Sequence, residues 1–179
     1  MLDVVKRMGK GTFAAVTRIS PSISSRLLFL MRTHQCPNLR KLQSFNEKTT
    51  WLKLNDYNNN DLVSQCADKY AVRDFVEKRG CGEILNELYG VYDDFDEIDF
   101  NKLPKEYVLK CTHGCAYNII VDRRNPLDIE TARKKIRRWQ KEKYGYATTE
   151  LQYVKIKPRI IAEKYLCDKN STMALDYKF

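Results

Sequence analysis

Apolar and polar positions along this chain switch period several times, and each switch marks an element. From Asp128, the residues Ile129, Ala132, Ile136 and Trp139 recur at spacings of three and four, with Arg133, Lys134, Lys135, Arg137 and Arg138 between them. That spacing puts the apolar side chains on one stripe of a helix and the cations on the other side. Asp128 is its N-cap, and the acid-early, base-late order suits the helix dipole. Val72, Phe75 and Val76 predict a second helix, capped by Asp68 and stopped by Gly80. Two β-type runs, Tyr107 to Cys111 and Asn118 to Val121, flank a compact polar knot.

Around these elements the pattern is less regular. The acidic stretch "DDFDEIDF" with Leu103-Pro104 reads as one helical turn and a bend leading into the first strand. "PRIIAEKYL", from Pro158 to Leu166, reads as a further strand, and "MALDYKF" as the start of another. An Asn/Asp-rich break runs from Asp56 to Asp61. The first forty or so residues mix basic and apolar positions, which predicts a helical pair packed on the body, with an arm along a membrane surface as the alternative. Strands and helices interleave, which places the chain among the α+β and α/β folds.

At 179 residues and 43% hydrophobic, the chain is long enough to bury a core. Its net charge of +9 favours anionic partners without choosing among them. Six scattered cysteines lack the density of a secreted disulfide scaffold and read as reduced thiols of a cytoplasmic protein. The apolar run "LLFLM" at Leu27 to Met31 is too short to span a bilayer.

The knot, Thr112 to Tyr117, holds the candidate chemistry. A small-residue loop beside Lys110 can bring backbone N–H groups to an anion while the lysine supplies a point charge. Cys111, His113 and Cys115 are metal-type ligands, but a fourth at standard spacing is missing. Cys115 with His113 as base is a third reading, against the rule that nucleophile and base are distant in sequence. Against all three stands a structural role, with His113 bonded within the turn and the thiols acting as small hydrophobes.

Five stretches taken in order carry a family resemblance: "FNEKTTWLKLND", "ADKYAVRDFV", "GVYDDFDEIDFNKLPKEYVLKCTHGCAYNIIV", "LDIETARKKIRRW" and "KPRIIAEKYL". Together they resemble the TupA-like ATP-grasp family of polysaccharide-synthesis proteins, often labelled glycosyltransferases. The resemblance covers residues 44–179, about three quarters of the chain, and leaves residues 1–43 as a basic amphipathic segment. It implies an α+β, ATP-grasp-like fold with a mixed or antiparallel small lobe and an incomplete second lobe. The implied activity is ATP-dependent activation of a carboxylate as an acyl phosphate, or glycosyl transfer, in surface or capsular polysaccharide synthesis. The implied partners are ATP with Mg²⁺ and an acceptor bearing a carboxylate or a sugar.

Carried onto this sequence, the resemblance assigns Lys69 and Lys110 to the phosphates. It makes His113, Gly114, Cys115, Ala116, Tyr117 and Asn118 the phosphate-covering loop. Glu163 and Leu166 match the segment that meets the adenine, and Asp176 the ribose-binding acid. A solvated helix-start lysine is the alternative for Lys69, and a charge on an open edge strand the alternative for Glu163. Two departures stand out. Where the family's loop has a hydroxyl residue and a second glycine, this chain has Cys115 and Ala116, and alanine adopts positive φ less cheaply than glycine. The family's Mg²⁺ ligands fall later than "YKF", so the sequence is expected to be the amino-terminal portion of a longer enzyme. A cytoplasmic location is expected, at the inner face of the membrane if residues 1–40 touch it. The competing reading is a non-catalytic basic module that uses the helix from Arg133 to Lys143 against nucleic acid or acidic glycan.

Overall fold

The computed structural model describes residues 10–167; Asp176 and the "MALDYKF" stretch lie outside them. The chain divides into two units, one made of residues 1–75 and 142–157, the other of residues 76–141 and 158–179.

The first unit is helical. Helices α1 (Lys10–Ile19) and α2 (Pro21–Thr33) pack as a pair, with Phe13, Thr17, Ser24 and Phe29 buried. Ser20 caps α2 by accepting from the Ile23 N–H, and Pro21 takes the first helical position, where its missing N–H costs nothing. Helix α3 (Phe45–Asn55) opens on a capping box between Ser44 and Glu47. The same Glu47 carboxylate accepts the N–H groups of Asn38, Gln43 and Ser44, so a single side chain organises the preceding loop. Helix α4 (Asp61–Ala67) follows a 3₁₀ turn at Tyr57–Asn59. After the excursion into the second unit, α7 (Tyr144–Thr148) returns against α1, and Arg18 lies over the Tyr146 ring at 4.9 Å. The described part of the basic amino-terminal segment is thus a packed helical pair.

Helix α5 (Ala71–Lys78) carries the chain from one unit to the other. Its ends follow the sequence signals. The Asp68 carboxylate accepts the N–H groups of Tyr70 and Ala71. Gly80, at φ 74, closes a Schellman motif in which its own N–H reaches the Glu77 carbonyl and that of Cys81 the Val76 carbonyl.

The second unit is an antiparallel sheet with one long helix. Strands β1 (Leu88–Tyr92), β2 (Tyr107–Cys111), β3 (Asn118–Val121) and β4 (Ile160–Lys164) stand in the order β1-β4-β2-β3. Leu109, Ile160, Ile161 and Ala162 are fully buried, as is Ile136 of α6 (Ile129–Lys141). β4 is therefore an interior strand, not an edge. Pairing puts Lys110 opposite Ile161 and Asn118, and Val108 opposite Glu163. Directly opposed residues share a sheet face. Lys110, Glu163 and Asn118 accordingly lie on one face. The acidic stretch forms the expected turn at Phe95–Glu97, capped by Asp94, and Phe95 is fully buried beside α6.

Candidate functional site

Lys110 and Glu163 meet across β2 and β4, with Nζ 2.7 Å from Oε2. The pair is lopsided in exposure: the carboxylate side chain keeps 9% of its surface, the lysine 32%. The ammonium therefore faces water on one side and a buried acid on the other. A charge pair this deep holds because each partner relieves the other's desolvation.

The loop that follows Lys110 is pinned at its base and open at its tip. The Cys111 N–H donates to the Tyr117 carbonyl at 2.9 Å, closing the hairpin. Thr112 is fully buried and bonded twice to the segment before β4: its N–H donates to the Arg159 carbonyl, and its hydroxyl accepts the Arg159 N–H. His113, 3% exposed, donates from Nε2 to the Trp139 carbonyl at 2.9 Å. That carbonyl belongs to the last turn of α6, where no intrahelical donor reaches it, so the imidazole supplies the missing bond. Tyr117 stacks on Trp139 with centroids 5.3 Å apart and planes 14° apart. Gly114 is buried, while Cys115, Ala116 and Asn118 are exposed. Ala116 sits at φ 60, in the left-handed region that favours glycine.

The remaining expected residues are spread more widely. Lys69 lies half-buried in the turn between α4 and α5, in the first unit, and Lys110 lies in the second. Leu166, just past β4, is 54% exposed. Asp176 lies outside the described residues.

The metal and nucleophile readings of the knot find little in this geometry. Among the described residues no group of three or more His, Cys, Asp or Glu is arranged to hold a metal ion. Cys111 is buried, Cys115 exposed, and no disulfide forms. The imidazole of His113 is turned to the Trp139 carbonyl. For Mg²⁺, whose ligands are carboxylates and phosphate oxygens, the candidate face offers Glu163, and Lys110 already holds it. The described residues do not fit that ion.

The basic helix is also differently employed than its charge pattern implies. Arg133 pairs with Asp96 at 2.9 Å and with Glu130, and Arg137 pairs with Asp96 at 2.6 Å and Asp94 at 3.4 Å. The acidic turn thus absorbs two cations that a nucleic-acid surface would need free.

A profile of TupA-like ATPgrasp proteins matches residues 47–179, beginning inside α3 and including every strand of the sheet. No curated protein and no solved structure matches the chain. With a match over this share of its length and an α+β architecture built on a four-stranded antiparallel sheet, the chain belongs to the TupA-like ATP-grasp family.

Proposed function

We propose that the face bearing Lys110, Glu163 and Asn118 binds ATP, and that the bound nucleotide activates a carboxylate for ligation in the synthesis of a surface polysaccharide. The observation that carries the reading is the Lys110–Glu163 pair beside a loop with a fixed base and an exposed left-handed tip. A half-open ammonium can exchange one carboxylate for a triphosphate that carries several negative charges. The tip at Cys115 and Ala116 brings backbone N–H groups within reach of phosphate oxygens, and its small side chains allow close approach. Leu166 offers apolar surface to a purine, and the Glu163 carboxylate an acceptor for its amino group. The family resemblance further assigns Lys69 to the phosphates and Asp176 to the ribose.

In the reaction so proposed, a carboxylate oxygen of the acceptor takes the γ-phosphoryl group and ADP leaves. An amine or similar nucleophile then displaces phosphate from the acyl phosphate. Phosphoryl transfer asks the protein mainly for positioning and charge stabilisation, and Lys110 and the loop supply those.

The test is ATP-dependent stabilisation of the whole chain. ATP is expected to raise Tm by mass action, and Lys110→Ala to abolish that rise. An undiminished ATP effect in Lys110→Ala refutes the assignment.

A further inference from the structure

The helical unit contains a recess that the nucleotide reading does not use. It lies between α2 and α3, has a volume of about 150 Å³, and is lined by Ser25, Arg32, Asn46, Lys53 and Thr149, among others. A cavity of that size admits one molecule of about six heavy atoms. Its walls combine the apolar side chains of Leu28 and Phe29 with polar and cationic groups, and the latter select the guest.

Four features define that guest. Ser25 is 4% exposed, and its hydroxyl finds no hydrogen-bond partner among the described residues. A buried polar group without a partner asks for a ligand or water to satisfy it. Arg32 stands exposed at the rim, and Lys53 is held 3.2 Å from Glu150, a contact that leaves further ammonium protons to donate. The two cations against one carboxylate give the recess an excess of positive charge. Thr149 is 1% exposed and adopts φ 59, a conformation that β-branched residues rarely take. Strain of that kind persists where the surroundings impose it, often at ligand sites.

The threonines refine the chemistry. Thr33, Thr49 and Thr50 all line the recess, and each gives its hydroxyl proton to a carbonyl one turn back, at 2.9, 2.9 and 2.8 Å. With their protons so engaged, the Thr49 and Thr50 hydroxyls can accept but not donate, whereas Thr33 already accepts the Gln35 N–H. A guest that satisfies these walls therefore needs anionic oxygens for Arg32, Lys53 and Ser25, and a proton of its own for a threonine. Inorganic phosphate near neutral pH has both. Sulfate has no proton, and the dianion of a phosphate monoester has none either. We infer that this recess is a binding site for inorganic phosphate that discriminates against sulfate.

Calorimetric titration of the full chain at pH 7.5 and constant ionic strength tests the inference, with phosphate, sulfate and methyl phosphate as probes. Phosphate is expected to bind at least about tenfold more tightly than sulfate or the ester, the weight of one good hydrogen bond. Ser25→Ala and Arg32→Ala are each expected to weaken phosphate about tenfold. Both variants should fold, since one removes a hydroxyl with no partner and the other an exposed side chain. Lys110→Ala should leave phosphate binding intact. Equal affinity for phosphate and sulfate overturns the inference, as does binding that survives both recess variants or is lost in Lys110→Ala.

Discussion

Ala116 offers a direct experiment on the loop, because it carries a methyl group where the backbone favours none. At φ 60 its backbone occupies the left-handed region, which costs a non-glycine residue about 1–2 kcal/mol. Ala116→Gly removes that strain. The substitution also gives the unfolded chain more freedom, which returns about 0.4–1 kcal/mol to the unfolded state. The methyl group is exposed, so its loss forfeits little packing. At the middle of both ranges the difference is a gain of about 0.8 kcal/mol, or a rise in Tm of about 2–3 °C for a chain of this size. Ala116→Val makes the opposite case, since a β-branched side chain suffers more in this conformation. Its Tm should fall by several degrees. Thermal and urea unfolding of the three proteins side by side supply the measurement. A glycine variant no more stable than the parent, or a tolerated valine, refutes the claim that the hairpin forces this residue into the left-handed region.

Three further expectations rest on the same geometry. Lys110→Ala leaves the Glu163 carboxylate buried without its cation and should cost about 2 kcal/mol in urea unfolding, below the usual figure for a buried pair because the lysine is a third exposed; adding Glu163→Gln should recover most of the loss. His113→Ala removes the donor to the Trp139 carbonyl and should cost about 1–3 kcal/mol, with faster amide hydrogen exchange at residues 112–117. Glu47 is held down to about 2, from the usual 4.5, by the backbone N–H groups of Ser44, Asn38 and Gln43; because the folded value is the lower one, its stabilising effect is complete above pH 4.5 and is lost as pH falls through 2. In Glu47→Gln the decline in Tm over that acid interval should be shallower than in the parent.

The sequence was most legible where local chemistry decides the conformation. The bounds of β2 and β3, the Asp128 cap of α6 and the glycine stop at Gly80 all depend on residues a few positions apart, and all appear where the pattern put them. Strand β1 escaped notice because Gly90 interrupts it, its residues are all half-buried, and its partner β4 is some seventy residues away. A Cβ at Gly90 would meet the Tyr92 phenol, which would have to move aside. The Lys110–Glu163 pair was out of reach for a similar reason: 53 residues separate the partners, and only the β2–β4 register brings them together. Likewise, the basic stripe of α6 was readable, but not the acidic turn that binds it, because the ion pairs span 37 to 43 residues.

The chain's two tryptophans fall one to each unit: Trp51 in α3, 39% exposed, and Trp139 in α6, stacked on Tyr117. Nature has thereby supplied a pair of separately addressable optical reporters. With Trp51→Phe the emission comes from the sheet unit and reports on the Tyr117 stack at the base of the loop after Lys110; with Trp139→Phe it comes from the helical unit alone. Whether the two halves melt in concert or in sequence can be watched by eye of a fluorimeter, without attaching a dye to either.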